Sequence, residues 1–90
     1  MYRVDTTAHF DDDLRRLDHS TAVRIIETVE WLAEHPEALR FPLRRVPRDL
    51  KGLHKYRVGD YRILLWVDQE ERALILYGVA HRRSIYRELR

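Results

Sequence analysis

The chain opens on alternation: Tyr2-Arg3-Val4-Asp5-Thr6 switches between apolar and polar positions and predicts a short strand. Thr7 then caps a helix in which Phe10, Leu14 and Leu17, spaced by four and three, share one face. Asp11, Asp12 and Asp13 fall in its early turns, where the helix dipole favours negative charge. Consecutive helical side chains fan about 100° apart and cannot converge on one ion, so the triplet reads as capping and not as a metal site. After Asp18-His19-Ser20 a second helix is expected. Its apolar stripe is Ala22, Ile25, Ile26, Val29, Leu32 and Ala33, and it stops near His35-Pro36. The short connection between the two helices predicts an antiparallel helical hairpin.

Glu37 to Leu50 has no clean period. Pro42 and Pro47 interrupt it and arginines punctuate it, so it reads as a basic loop. From Leu53 the period becomes two: a strand over Leu53–Val58, a tight turn at Gly59-Asp60 and a second strand over Tyr61–Val67. A turn follows at Asp68 to Glu71. A third strand is expected over Arg72–Ala80, a polar break at His81–Ser84 and a short final helix over Ile85–Leu89. The fold class is α+β, one domain over residues 1–90 in the order β-α-α-β-β-β(-α). The helical hairpin would pack on one face of a small, mostly antiparallel sheet.

Strict alternation puts Leu64, Trp66, Leu74 and Leu76 together on the second face of that sheet. The hairpin can cover only one face, so this second face needs its own cover. A partner chain, a second copy of this chain, or the final helix folding back are all open.

Composition narrows the chemistry. The chain has no cysteine, which removes disulfides, zinc–thiolate sites and thiol nucleophiles. Three scattered glycines cannot build a phosphate-cradling loop. No apolar run approaches the roughly 20 residues that cross a bilayer, and the first residues have no apolar signal core. Net charge is only +2, but it is unevenly spread. Residues 1–34 carry eight acidic and four basic side chains, whereas residues 35–67 carry eight basic and three acidic. Of the 17 basic residues only Lys51 and Lys55 are lysine. A local basic surface points to a polyanion such as nucleic acid; the alternative is a solvated arginine-rich surface.

Lys55, Arg57, Arg62 and Arg82 can gather at one end of the sheet, with Tyr86 close behind. The five histidines show no metal-ligand spacing. RNA cleavage needs no metal, because the 2′-hydroxyl of RNA can attack the adjacent phosphate. The protein then supplies a base, cations for the phosphate and a donor for the 5′ oxygen. Arginine forks suit the phosphate, and a lysine crowded by cations is driven toward the neutral form that a base requires. Phosphate binding or salt bridging alone would use the same residues.

The segment Leu50-Lys51-Gly52-Leu53-His54-Lys55-Tyr56-Arg57-Val58-Gly59-Asp60-Tyr61-Arg62 and the ending Ala80-His81-Arg82-Arg83-Ser84-Ile85-Tyr86-Arg87 resemble the RelE/ParE superfamily of bacterial and archaeal toxins. The resemblance covers nearly the whole chain. For the RelE branch it implies a ribosome-dependent, metal-independent and cofactor-free endoribonuclease that cuts messenger RNA in the ribosomal A site. Lys55 would be the base, Arg62 and Arg82 would stabilise the phosphate, and Tyr86 would orient the substrate or stack on a base. Arg44, Arg45, Arg48, Lys51, Arg57, His81 and Arg83 would hold RNA. Leu53 departs from the pattern, standing where some active members carry a second lysine. The resemblance also implies a cytoplasmic protein with a cognate antitoxin, and operator DNA bound through the toxin–antitoxin complex. Leu64, Trp66 and Leu76 are expected at the antitoxin contact or under the C-terminal helix that the antitoxin displaces. The ParE branch implies a different function, inhibition of DNA gyrase without nuclease activity. An inactive member acting only as antitoxin partner is the third expectation.

Overall fold

A computed structural model describes residues 1–89. The alternation at the start gives β1 (Arg3–Thr6). Thr7 stays extended and its hydroxyl accepts from Phe10 N, which starts α1 (Ala8–Arg15). Asp18 caps α2 (His19–Glu34) by accepting from Thr21 N, and Pro36 lies just beyond the end of α2. The hydroxyls of Ser20 and Thr21 also donate to the Asp18 carboxylate, holding its pKa down at about 2.

The aperiodic stretch stays loop, apart from single 3₁₀ turns at Pro36–Ala38 and Arg48–Leu50. Period-two patterning then gives β2 (His54–Val58), β3 (Tyr61–Asp68) and β4 (Ala73–His81), and the chain continues into the short helix α3 (Ile85–Glu88). The four strands form one sheet in the order β1-β4-β3-β2. β1 runs parallel to β4; the other pairs are antiparallel.

The register contains one irregularity with a large effect. Leu64 pairs with Gly78, but Leu65 pairs with Leu76, so Tyr77 is an extra residue in β4. The bulge switches which faces the alternate residues of β4 occupy. Leu74 and Leu76 therefore join Phe10, Ile25, Leu32, Ile63, Leu65 and Val79 in the core beneath α1 and α2. The expectation that Leu74 and Leu76 share a face with Leu64 and Trp66 fails, because simple alternation does not survive an inserted residue.

The second face is covered by this chain itself. Leu50, Leu53, Leu64, Ala80 and Ile85 form a second buried cluster, with Leu43, Val46, Trp66, Tyr77 and Leu89 around it. The basic loop supplies most of that cover, and α3 supplies the rest. The loop is fixed by a hydrogen bond from Leu43 N to Leu53 O, 2.7 Å. A second bond runs from the Trp66 indole N–H to Lys51 O, 3.1 Å.

α1 closes the part of β4 that β1 does not reach. β1 pairs with β4 only as far as Leu76. Beyond it, the Thr7 hydroxyl lies 3.0 Å from both Leu76 O and Tyr77 O, and Asp13 Oδ2 accepts from Val79 N at 2.9 Å. Gly78 is small because it must be: a Cβ there would stand 2.7 Å from His9 Nδ1 and 2.8 Å from Asp13 Oδ2.

Candidate functional site

The β2–β3 hairpin brings the basic residues together. Arg57 pairs with Arg62 and Lys55 with Leu64, so all four share the face that carries Leu64 and Ala80. The turn between the strands needs Gly59, whose φ is +58°. Arg62 Nη1 donates to Gly59 O at 3.2 Å and to Tyr61 O at 2.9 Å. Arg57 Nε donates to the same Gly59 carbonyl at 3.4 Å. The Arg82 backbone N–H donates to Asp60 O at 2.8 Å, and its Nε lies 3.7 Å from Asp60 Oδ1. Three arginines from three strands or their ends thus converge on one two-residue turn. Arg82 and Asp60 are both exposed, so their ion pair is worth at most about 1 kcal/mol, and its effect is to aim the guanidinium.

Lys55 and Arg57 are exposed and Arg62 is half-buried. Among the described residues, none of the three lies in an ion pair with a carboxylate. Their charge faces solvent uncompensated, as an anion-binding surface requires. Tyr86 stands on α3, 76% exposed, while its neighbour Ile85 is buried against Leu64 and Ala80. α3 thereby presents the phenol from the side of the sheet that carries Lys55, Arg57 and Arg62.

The remaining RNA-contact candidates separate. Leu43, Val46 and Leu50 of the loop turn inward, leaving Arg44, Arg45, Arg48 and Lys51 exposed on the same side as the hairpin arginines. Arg45 sits at φ +57° in the middle of this loop. Arg83 is exposed in the turn before α3. His81 does not join this surface. It pairs with Tyr61 on the opposite face, meets that ring edge-on at 5.3 Å, and its Nδ1 accepts from Arg83 N at 3.2 Å. Leu53 is fully buried in the second cluster, so this position faces the core and not the basic surface.

Of the three residues expected at a partner contact, Leu64 and Leu76 are fully buried and only Trp66 keeps surface. Leu64 lies beneath α3, whereas Leu76 lies beneath the long helices. Exposed apolar side chains occur elsewhere, at Val4, Val23 and Ile26. Val4, Phe10, Leu14, Ile26 and Val29 line a cleft between α1, α2 and β1, joined by Asp11 and Glu30. Helical spacing had placed Ile26 in the core stripe, so the sequence offered no signal for this opening.

A second cleft lies between α2 and the free edge of β2, around Arg24, Glu27, Thr28, Trp31, Tyr56, Arg57 and Gly59. Spacing could have revealed its helical wall, because Arg24, Thr28 and Trp31 share one face of α2 off the apolar stripe. Among the described residues, no group of three or more His, Asp or Glu side chains is placed to hold a metal ion. No helix among them is long and apolar enough to cross a membrane.

The chain is similar in sequence and fold to known toxins. The sequence pattern of the ParE toxin of type II toxin–antitoxin systems matches residues 4–86. The chain is 37% identical over 87 residues to the toxin RelE of Mycobacterium tuberculosis, covering 96% of this chain and 87% of that protein. It is 35% identical over 86 residues to the toxin RelG of the same organism, covering 90% and 95%. A chain of the RelBE2 toxin–antitoxin complex of M. tuberculosis superposes with a TM-score of 0.77 at 30% identity, covering 89% of this chain and 96% of that one. The isolated RelE toxin of Escherichia coli has the same fold, with a TM-score of 0.72 at 17% identity over 99% of this chain and 100% of that one.

Proposed function

This chain belongs to the ParE toxin family and is a RelE-like toxin of a type II toxin–antitoxin system, and we propose that it acts by cleaving messenger RNA on the ribosome. The observation that carries this reading is the convergence of Arg57, Arg62 and Arg82 on the Gly59-Asp60 turn, with Lys55 on the same face. Guanidinium groups gathered at one turn, with Lys55 on the same face, suit a phosphate whose charge grows as it reacts.

The chemistry follows from the positions. Lys55 takes the proton of a ribose 2′-hydroxyl, and the oxygen attacks the adjacent phosphorus. Arg62 and Arg82 donate to the non-bridging oxygens as charge builds on them. The bond from phosphorus to the 5′ oxygen breaks, leaving a 2′,3′-cyclic phosphate and a 5′-hydroxyl whose proton comes from water. Tyr86 stacks on or orients the neighbouring base. Arg44, Arg45, Arg48, Lys51, Arg57 and Arg83 hold RNA backbone. The site works in the cytoplasm, where ribosomes and messenger RNA are found.

A cognate antitoxin is the second partner, as in the toxin–antitoxin complex that this chain resembles. Leu64 lies beneath α3 and would be reached only by an antitoxin that displaces that helix, whereas Leu76 lines the floor of the cleft between α1 and α2. The cleft between α1 and α2 fits better, since it is apolar, exposed and flanked by Asp11 and Glu30. Its occupant would be an antitoxin segment combining apolar anchors with basic residues.

The name of the matching family favours one rival, inhibition of DNA gyrase. Purified protein added to ribosomes carrying a defined message separates the two. Cleaved message with cyclic-phosphate ends supports the ribonuclease; intact message with gyrase supercoiling inhibited supports the rival.

A further inference from the structure

The cleft between α2 and the β2 edge has no part in the chemistry above, yet its composition is specific. It is an open cleft of about 480 Å³. One wall is Trp31, 45% exposed. Its indole is braced by His35, stacked at 4.4 Å and 18°, whose Nδ1 lies 3.0 Å from Trp31 O. Tyr56 stands 6.4 Å from the indole, tilted by 33°. The other wall is cationic. Arg24 lies over Gly59, with Nη1 and Nη2 each 3.4 Å from the place a Cβ would occupy there. Arg57 lines the cleft and, through its bond to Gly59 O, also borders the basic face. Glu27 supplies an acceptor.

We propose that this cleft binds an unpaired RNA nucleotide, with its base stacked on Trp31 and its phosphates on Arg24 and Arg57. A large exposed aromatic, held rigid by a second ring, is a stacking platform for any base. Two arginines from different elements follow a phosphate backbone around the strand edge. Glu27 accepts from an exocyclic amine, which favours adenine, cytosine or guanine over uracil. Arg57 joins the cleft to the basic face, so one strand can engage both without leaving positive surface. The proposal rests on the ribonuclease reading for RNA as the ligand, but not for cleavage itself. The nucleotide can belong to the message or to ribosomal RNA.

The test is fluorescence polarisation of a labelled single-stranded RNA dodecamer with the purified toxin and its Trp31→Ala, Trp31→Phe and Arg24→Gln variants, each checked for an unchanged melting temperature. Loss of a stacked base weakens binding about tenfold in Trp31→Ala, and Trp31→Phe restores most of it. Arg24→Gln lowers the slope of log affinity against log salt by about one contact. The same variants on ribosomes with and without message identify the source: loss on both means ribosomal RNA, and loss only on loaded ribosomes means the message. Affinities within twofold of the parent for both Trp31→Ala and Arg24→Gln would overturn the proposal. An RNA-binding defect in these variants from a protein that never cleaves message would sustain it while removing the ribonuclease reading.

Discussion

Arg57 and Arg62 stand opposite each other across β2 and β3, and both direct a guanidinium N–H at one oxygen, the carbonyl of Gly59. Two like charges held this close repel each other unless something offsets them. The carbonyl dipole does so in part, and a bound phosphate would complete it. The turn therefore orders the arginines, and disturbing it should disturb them. Gly59→Val places a β-branched residue at φ +58° and crowds Arg24. It should cost about 1–3 kcal/mol in denaturant unfolding and lower message cleavage at temperatures where the protein is still folded. Full cleavage by a folded Gly59→Val protein would show that the turn does not set the arginines.

The bulge at Tyr77 puts two residues that simple alternation places on one face into different surroundings, Leu76 in the core and Trp66 beside the loop. Leu76→Ala empties a fully buried site under α1 and α2 and should cost about 2–5 kcal/mol. Trp66→Phe keeps most of the ring and loses the indole bond to Lys51 O, for about 0.5–1.5 kcal/mol. Urea unfolding of both variants checks the ranking.

The apolar cleft gives a separation of functions. Ile26 is 45% exposed, on the far side of the sheet from Lys55 and Arg62. Ile26→Glu should leave folding and message cleavage unchanged while weakening antitoxin capture by at least tenfold, read by calorimetry with the purified antitoxin. A variant that still bound the antitoxin normally would move that contact elsewhere.

His54 links stability to pH. Burial lowers its pKa below the ordinary 6.5, opposed by a backbone hydrogen bond to Phe41. The unfolded chain then binds more protons than the folded one below about pH 6.5, so this residue's contribution to stability falls as pH drops through that value. His54→Leu should flatten the pH dependence below about pH 6.5 relative to the parent. Parallel curves for the two proteins would contradict the assignment.

Most of the fold was legible because its signals are local. Thr7 and Asp18 cap the helices, Pro36 lies beyond the end of α2 and Gly59 turns the hairpin. Lys55, Arg57 and Arg62 could be placed on one face because a two-residue turn fixes the hairpin register. The misreadings share a cause. The extra residue at Tyr77 is set by packing, with α1 pressed on Gly78, and nothing in the local pattern announces it. Leu43, Val46 and Leu50 look like scattered apolar residues in a basic loop, yet tertiary folding makes them, with Leu53, the cover of a sheet face. His81 looked like part of a basic run until strand pairing sent it to the other face. Arg24 and Trp31 lie on a second face of α2, off the apolar stripe that carries the helix signal, and only the fold brings that face to the edge of β2.

The central claim is that the arginines gathered at the Gly59-Asp60 turn cut ribosome-bound message. Its most direct measurement is the mapping of messenger RNA 5′ ends in bacteria expressing either this protein or its Arg82→Ala variant under tight control. The account predicts new 5′ ends within translated codons for the parent and a loss of at least a hundredfold in the variant. Undamaged message in cells arrested by the parent protein, with induction of the DNA-damage response, would contradict it.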